Sequence, residues 1–170
     1  MNRRATFTCL ILLLAAGSLS VLWAQRQPPS AAQAIRGHFA SINQQILDMA
    51  KDFPENKYSF RATPEVRSFS DVIVHVLSGN VYAAKTGRGE KAQWDELDPK
   101  AYKTKADVVG ALEKSIADAT AALKALPDDR LAGSPEPWLS VIEHSAEHYG
   151  QLVVYYRVNA MVPPASRPKK

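Results

Sequence analysis

The chain predicts an all-α fold, a four-helix bundle, from three observations. Four segments carry apolar residues at three- and four-residue spacing, none shows the sustained apolar and polar alternation of a strand, and three of the four open on a capping signature. The first helix starts near Ser30, with Gln33 placed to complete a capping box. Its apolar face is Ile35, Phe39, Ile42, Ile46, Met49 and Phe53, and Pro54 ends it.

The second helix begins around Ser68, with Asp71 three residues on, and carries Phe69, Val72, Ile73, Val76, Leu77 and Tyr82 until Gly87 and Gly89. It is apolar nearly all round, which predicts a centrally packed helix; the valines of Val72 to Leu77 keep a β-strand as the alternative. The third spans Thr104 to about Leu126, with the stripe Val108, Val109, Leu112, Ile116, Ala119, Leu123 and Leu126, and Thr104 and Asp107 as cap partners; Pro127 stops it. The fourth opens at Ser134 with Pro135 in the first turn, where a missing amide hydrogen costs nothing. It lines Trp138, Val141, Ile142, Ser145, Leu152, Val153 and Tyr156 along one face until Pro163 and Pro164.

The connections constrain topology. The 18 residues Thr86 to Lys103 reach roughly 60 Å when extended, whereas a helix of that length is only about 27 Å long. A crossover of this reach lets helices two and three run parallel, while the short link Pro127 to Ser134 favours an antiparallel third and fourth pair.

Residues 1–24 read as a secretory signal peptide: Arg3 and Arg4 lead, Phe7 to Leu22 is mostly apolar, and Ala24 offers a small residue before Gln25. Export to the periplasm or beyond is the expectation, with a retained membrane anchor as the alternative and no stable membrane span once the segment is cleaved. Cleavage leaves 146 of the 170 residues, which suits one domain with a real core. Losing Arg3 and Arg4 takes the 21 basic residues to 19 against 17 acidic ones, a net charge of +2, and nothing in that balance suggests nucleic acid. The lone cysteine, Cys9, falls in the signal. The exported domain therefore carries no disulfide and no thiol nucleophile, and its stability comes from packing. The predicted organisation is a signal at 1–24, the bundle at 25–164 and a disordered basic tail at 165–170.

Three histidines carry the functional signal. His75 stands alone in the apolar run Val-Ile-Val-His-Val-Leu, and His144 and His148 form an i, i+4 pair on the fourth helix. Such a pair shares one helix face about one turn apart, and a third imidazole from another helix completes a set of three neutral nitrogens, enough for zinc or a similar ion with positions left for water or substrate. The ordinary alternative is a surface pair plus one hydrogen-bonded core histidine. On the helical wheel His144, His148, Gln151 and Tyr155 form a strip flanking the core. His38 has no partner in the pattern and reads as structural or exposed. The string His144 to His148 also spells H-x-x-E-H, shared with inverted zincins, in which Glu147 would be a base. Only 22 residues follow His148 and none is Asp or Glu, so the acidic ligand of such a protease is absent and Glu147 is expected in solvent or a salt bridge.

The chain from about Ile35 to Pro164 resembles the DinB-like superfamily of bacterial four-helix proteins, described as metal-dependent enzymes. The resemblance is carried by Ser-Phe-Ser-Asp-Val-Ile-Val-His at 68 to 75, Glu-His-Ser-Ala-Glu-His-Tyr-Gly-Gln at 143 to 151 and Asn-Ala-Met-Val-Pro-Pro at 159 to 164. It implies an up-down-down-up bundle with a long crossover between helices two and three, and a metal triad of His75, His144 and His148 holding a divalent ion, zinc or nickel first. Some members are similar to thiol-S-transferases, one is a maleylpyruvate isomerase, and many have no assigned reaction; fold and triad do not choose among them.

The sequence reading is thus an exported metalloenzyme acting on a small molecule. The ion would act as a Lewis acid or lower the pKa of bound water towards about 7, hydrolase-type chemistry. Tyr149, Gln151 and Tyr155 are the candidates to line the pocket, with Asn80 a further one. A non-catalytic extracytoplasmic metal-binding or interaction module is the first alternative, distinguished by a fourth protein ligand such as Glu143 or Asn80 closing the coordination. A thiol-S-transferase with Lys85 and Arg88 beside the metal is the second. A homodimer fits any of these readings.

Overall fold

The computed structural model describes residues 28–168; the signal-like segment and Cys9 lie outside them. All described elements fall within one unit, Ala31–Lys170. Four long helices form it: α1 (Ala31–Asp52), α2 (Phe69–Gly87), α3 (Lys105–Ala125) and α5 (Trp138–Val158), with a short α4 (Asp128–Gly133) between the last two. Among the described residues there is no strand, and none of the helices is long and apolar enough to cross a membrane. The segment Val72 to Leu77 is helical. Val72, Ile73, Val74, Val76 and Leu77 are all buried, so burial around the helix, rather than strand propensity, decides its conformation.

Two capping boxes set the starts of α2 and α3. Ser68 Oγ accepts from the Asp71 amide and Asp71 Oδ2 accepts from the Ser68 amide, both at 3.1 Å. Thr104 Oγ1 accepts from the Asp107 amide at 3.1 Å, while Asp107 Oδ2 accepts from Thr104 and Lys103. These amides hold the Asp107 carboxyl below its ordinary pKa, and each cap satisfies helix-end donors that have no partner within the helix.

The chain between α3 and α5 departs from expectation. The link Pro127 to Ser134 is itself helical over Asp128–Gly133, where two acidic residues occupy the first turn and Leu131 is fully buried as its anchor. The fourth long helix begins at Trp138 rather than at Ser134 or Pro135. Glu136 precedes Pro137 and is therefore disfavoured from the helical region. Its carboxylate instead accepts from the Ser140 hydroxyl at 2.6 Å, at the start of the helix.

At the other end α5 stops at Val158, before Pro163: Ala160 takes a φ of 56° and the chain reverses, with Met161 N donating to Tyr156 O at 2.9 Å. Asn159 steadies the reversal by donating to Tyr155 O and accepting from Lys57 Nζ. The tail expected to be disordered is held as far as Arg167. Pro164–Ser166 forms a 3-10 turn, and the Arg167 guanidinium bonds both oxygens of Asp52 at 2.8 and 2.5 Å.

The core has two ends. One gathers Ile46 to Ala50 of α1 and Phe53 just beyond it, Phe69 to Leu77 of α2, Val108 and Leu112 of α3, and Leu152 to Tyr156 of α5, with Phe53 stacked on Phe69 at 3.9 Å between ring centroids. The other joins Ala32 to Phe39 with Ala83, Ala84, Ala119, Ala122, Leu123, Leu131, Trp138 and Val141. The C-terminal half of α1 thus lies with the N-terminal halves of α2 and α3 and the C-terminal half of α5. Between the two ends a buried polar bridge crosses the bundle: Asn80 Nδ2 donates to Asn43 Oδ1 at 2.8 Å, while Asn43 Nδ2 donates to Phe39 O. The contacts that place the three histidines are those of α2 with α5, which pack side by side.

Candidate metal centre

Position along two packed helices brings the three histidines together. His75 lies in the second turn of α2, and His144 and His148 lie one turn apart on α5. One nitrogen from each ring falls within 4.8 Å of the other two. The Nε2 atoms of His75 and His144 are 2.9 Å apart. The rings meet edge to face, with centroids 4.5 to 4.7 Å apart. Two nitrogens bound tetrahedrally at about 2.0–2.1 Å to one ion stand about 3.3 Å from each other, so the His75–His144 spacing is close to that of two ligands on a shared ion. Among the described residues no carboxylate or thiol joins the group.

Electrostatics favour the ligating form. Burial pushes His144 down to about 4, reinforced by the neighbouring His148 and His75. Burial also lowers His75, with Arg67 and His148 adding to the effect and Glu96 opposing it. Both rings are therefore neutral at pH 7, each with a lone pair for a metal.

An orienting chain fixes one of the three rings, and a carboxylate stands beside a second. His148 Nδ1–H donates to Gln151 Oε1 at 2.9 Å, Gln151 Nε2 donates to Tyr155 Oη at 3.0 Å, and Tyr155 Oη–H donates to the Arg67 carbonyl at 2.6 Å. This directional chain places the proton on Nδ1 of His148 and leaves Nε2 as the ligand atom. On the opposite side Glu96 Oε1 comes within 2.8 Å of His75 Nδ1. The oxygen sits off the N–H axis, so this buried nitrogen has no aligned hydrogen bond. Glu96 is itself gripped by Arg67 at 2.8 Å; that guanidinium is the main reason its carboxyl sits below its ordinary pKa.

The third ring is covered by an aromatic lid. Trp94 meets His144 edge to face at 4.7 Å and leans on Tyr82 at 5.2 Å. It comes so close to α2 that a Cβ on Gly79 would stand 2.8 Å from its ring; glycine, one turn after His75, leaves the space the indole fills. The lid belongs to the crossover between α2 and α3, which returns to α2 where Leu97 N donates to Ser78 Oγ at 3.0 Å.

The sequence candidates divide. His75, His144 and His148 converge. Gln151 and Tyr155 reach the site, but as the orienting chain behind His148, with Tyr155 1% exposed, rather than as pocket lining. Tyr149 packs against the hydrophobic core. Asn80 is turned into the bundle interior towards Asn43 and Ser115, so it does not line the site. Glu143, Glu147 and His38 are exposed, and neither glutamate joins the three histidines. Lys85 and Arg88 line a cavity of about 310 Å³ with Leu77, Val81 and Leu97. Leu77 is rotated about 200° from His75 around α2, so the two lysine-arginine neighbours lie on a different face from the histidines.

Sequence reasoning missed Arg67, Trp94 and Glu96, which sit in segments without periodicity. The one available signal was Gly79, a helix-interior glycine on the same face as His75 that marks a close approach.

A family model described as DinB superfamily matches residues 38–154, a span that contains α2, the crossover, α3 and the histidine pair of α5. The chain belongs to the DinB superfamily. No curated protein matches it. Within this DinB-superfamily bundle the matched span ends one residue before Tyr155, so most of the orienting chain of His148 lies within the family region and its last link to Arg67 runs through a residue just beyond.

Proposed function

We propose that this DinB-superfamily chain is an exported metalloenzyme in which His75, His144 and His148 hold one divalent ion, zinc or nickel, and direct hydrolase-type chemistry at a small substrate. The observation that carries this reading is the convergence of three imidazole nitrogens from two helices within 4.8 Å. A divalent ion held by three nitrogens supplies a Lewis acid able to polarise a substrate oxygen or activate water at neutral pH. Support for catalysis over a structural site comes from the donor set: with no fourth histidine, carboxylate or thiol in the group among the described residues, coordination positions remain for substrate and water.

The chain's own residues supply the rest. Gln151 fixes the His148 proton on Nδ1, burial keeps His144 neutral, and Trp94 shields one side of the site from solvent. Support for export is the arrangement of Arg3, Arg4, the apolar run Phe7 to Leu22 and Ala24.

The test is elemental analysis of protein purified without an affinity tag, repeated on His148→Ala. One equivalent of metal per chain in the wild type and its loss in the variant supports the site; a wild type that holds no metal after zinc or nickel supplementation defeats it. Ester, amide and phosphoester substrates then separate the chemistries. Turnover that follows the metal and vanishes in His148→Ala supports the hydrolase reading, and bound metal without turnover favours the non-catalytic module. Mass spectrometry of the exported protein, beginning at Gln25, checks the signal.

A further inference from the structure

The two orienting arms of the histidine cluster end on one residue. The His148 arm, through Gln151 and Tyr155, terminates on the backbone carbonyl of Arg67. The His75 arm, through Glu96, terminates on the Arg67 guanidinium. Arg67 stands immediately before the Ser68 cap of α2, so its backbone is fixed by the helix start, whereas Glu96 belongs to the crossover 29 residues away and has no helix to hold it. We propose that Arg67 and Glu96 are positioning residues for the metal centre, Arg67 aiming the Glu96 carboxylate at His75 Nδ1 and thereby setting the affinity of the triad. The inference rests on the metal-binding reading of the three histidines.

A histidine ligates with one nitrogen only when its proton is held on the other, and a carboxylate at that second nitrogen both orients the ring and strengthens the ligating lone pair. His75 Nδ1 is buried without an aligned hydrogen bond, and Glu96 is the anion within reach of it at 2.8 Å. Glu96 alone is half-exposed and would sample many rotamers; the guanidinium at 2.8 Å selects the one that faces the ring. Because Arg67 and Glu96 are 44% and 50% exposed, their ion pair contributes little to folding. The two effects therefore separate: removal weakens metal binding while leaving the bundle intact.

The experiment measures zinc affinity by competition with a chromophoric chelator, the visible spectrum of the cobalt-substituted protein, and thermal unfolding of the metal-free protein, for wild type, Glu96→Ala, Glu96→Gln, Arg67→Ala and the double variant. Glu96→Ala is expected to weaken zinc binding about 10-fold or more and to shift the cobalt bands, with metal-free unfolding close to wild type. Glu96→Gln, which keeps an oxygen but not the charge, falls between. Arg67→Ala weakens binding by a smaller factor, and in the Glu96→Ala background it has no further effect, as expected of two residues acting through one contact. Wild-type affinity and an unchanged cobalt spectrum in Glu96→Ala overturn the proposal, as does an Arg67→Ala loss that persists undiminished in the double variant. A wild type that binds neither zinc nor cobalt is a different failure, that of the metal-binding reading itself.

Discussion

His75 and His144, 69 residues apart in sequence, bring their Nε2 atoms to 2.9 Å across the α2–α5 contact. Two imidazole nitrogens at that distance are compatible with a shared cation, and metal binding would stabilise the folded chain by mass action, about 2.7 kcal/mol at a hundredfold excess over Kd. Zinc added to metal-free protein is expected to raise Tm by roughly 5–10 °C. His144→Ala removes the rise. Equal zinc-induced shifts in wild type and variant would mean that the ion binds elsewhere.

Gly87 and Gly110 respond oppositely to alanine. A Cβ on Gly87 would stand 2.6 Å from the ring of Trp138, which is 1% exposed and has no room to move, so Gly87→Ala is expected to cost about 1–3 kcal/mol by overpacking. Gly110, inside α3 with nothing within 4 Å of a Cβ, gains up to about 1 kcal/mol from the better helix former. Urea midpoints measured side by side check both signs, and a shift in the same direction for the two variants contradicts the packing argument.

The Arg167–Asp52 pair ties the C-terminal segment to the end of α1. The guanidinium holds the Asp52 carboxyl below its ordinary 3.8, with Tyr156 assisting and burial opposing. A depressed carboxyl contributes stability that is present above its unfolded pKa and is lost as pH falls through the lower folded value. Arg167→Ala is therefore expected to lower stability slightly at pH 7, since solvent screens a part-exposed pair. The difference from wild type shrinks as the pH drops below 4. Unfolding curves at pH 7 and pH 3 distinguish this from a pH-independent packing loss.

Thr104 closes the N-terminus of α3 far from the histidines in sequence, in a capping box with Asp107. Thr104→Ala is expected to lower stability by about 1 kcal/mol with zinc affinity unchanged. A loss of affinity of the size expected for Glu96→Ala would show that the crossover's far end also governs the site.

The four long helices were legible because their signals are local. Capping at Ser68 and Thr104, the apolar stripes and the terminating prolines act within a turn or two of the residues that carry them. The same locality explains the errors. Proline and serine at 134 to 137 resemble a helix start, yet Glu136 before Pro137 defers the helix to Trp138, and the buried anchor Leu131 makes a helix of a link whose length alone suggested a loop. Burial of Leu131 depends on Phe39, Leu123 and Trp138 around it, which no local pattern reveals.

The sequence by itself determined the all-helical class and the identity of the three histidines, because periodicity and one-turn spacing are properties of a single helix. Only the tertiary structure decided what surrounds those histidines: Trp94 over His144, Glu96 at His75, and Arg67 joining both arms. These residues come from segments with no repeating geometry. Their place is set by how the crossover returns across α2, which is a consequence of packing between distant parts of the chain.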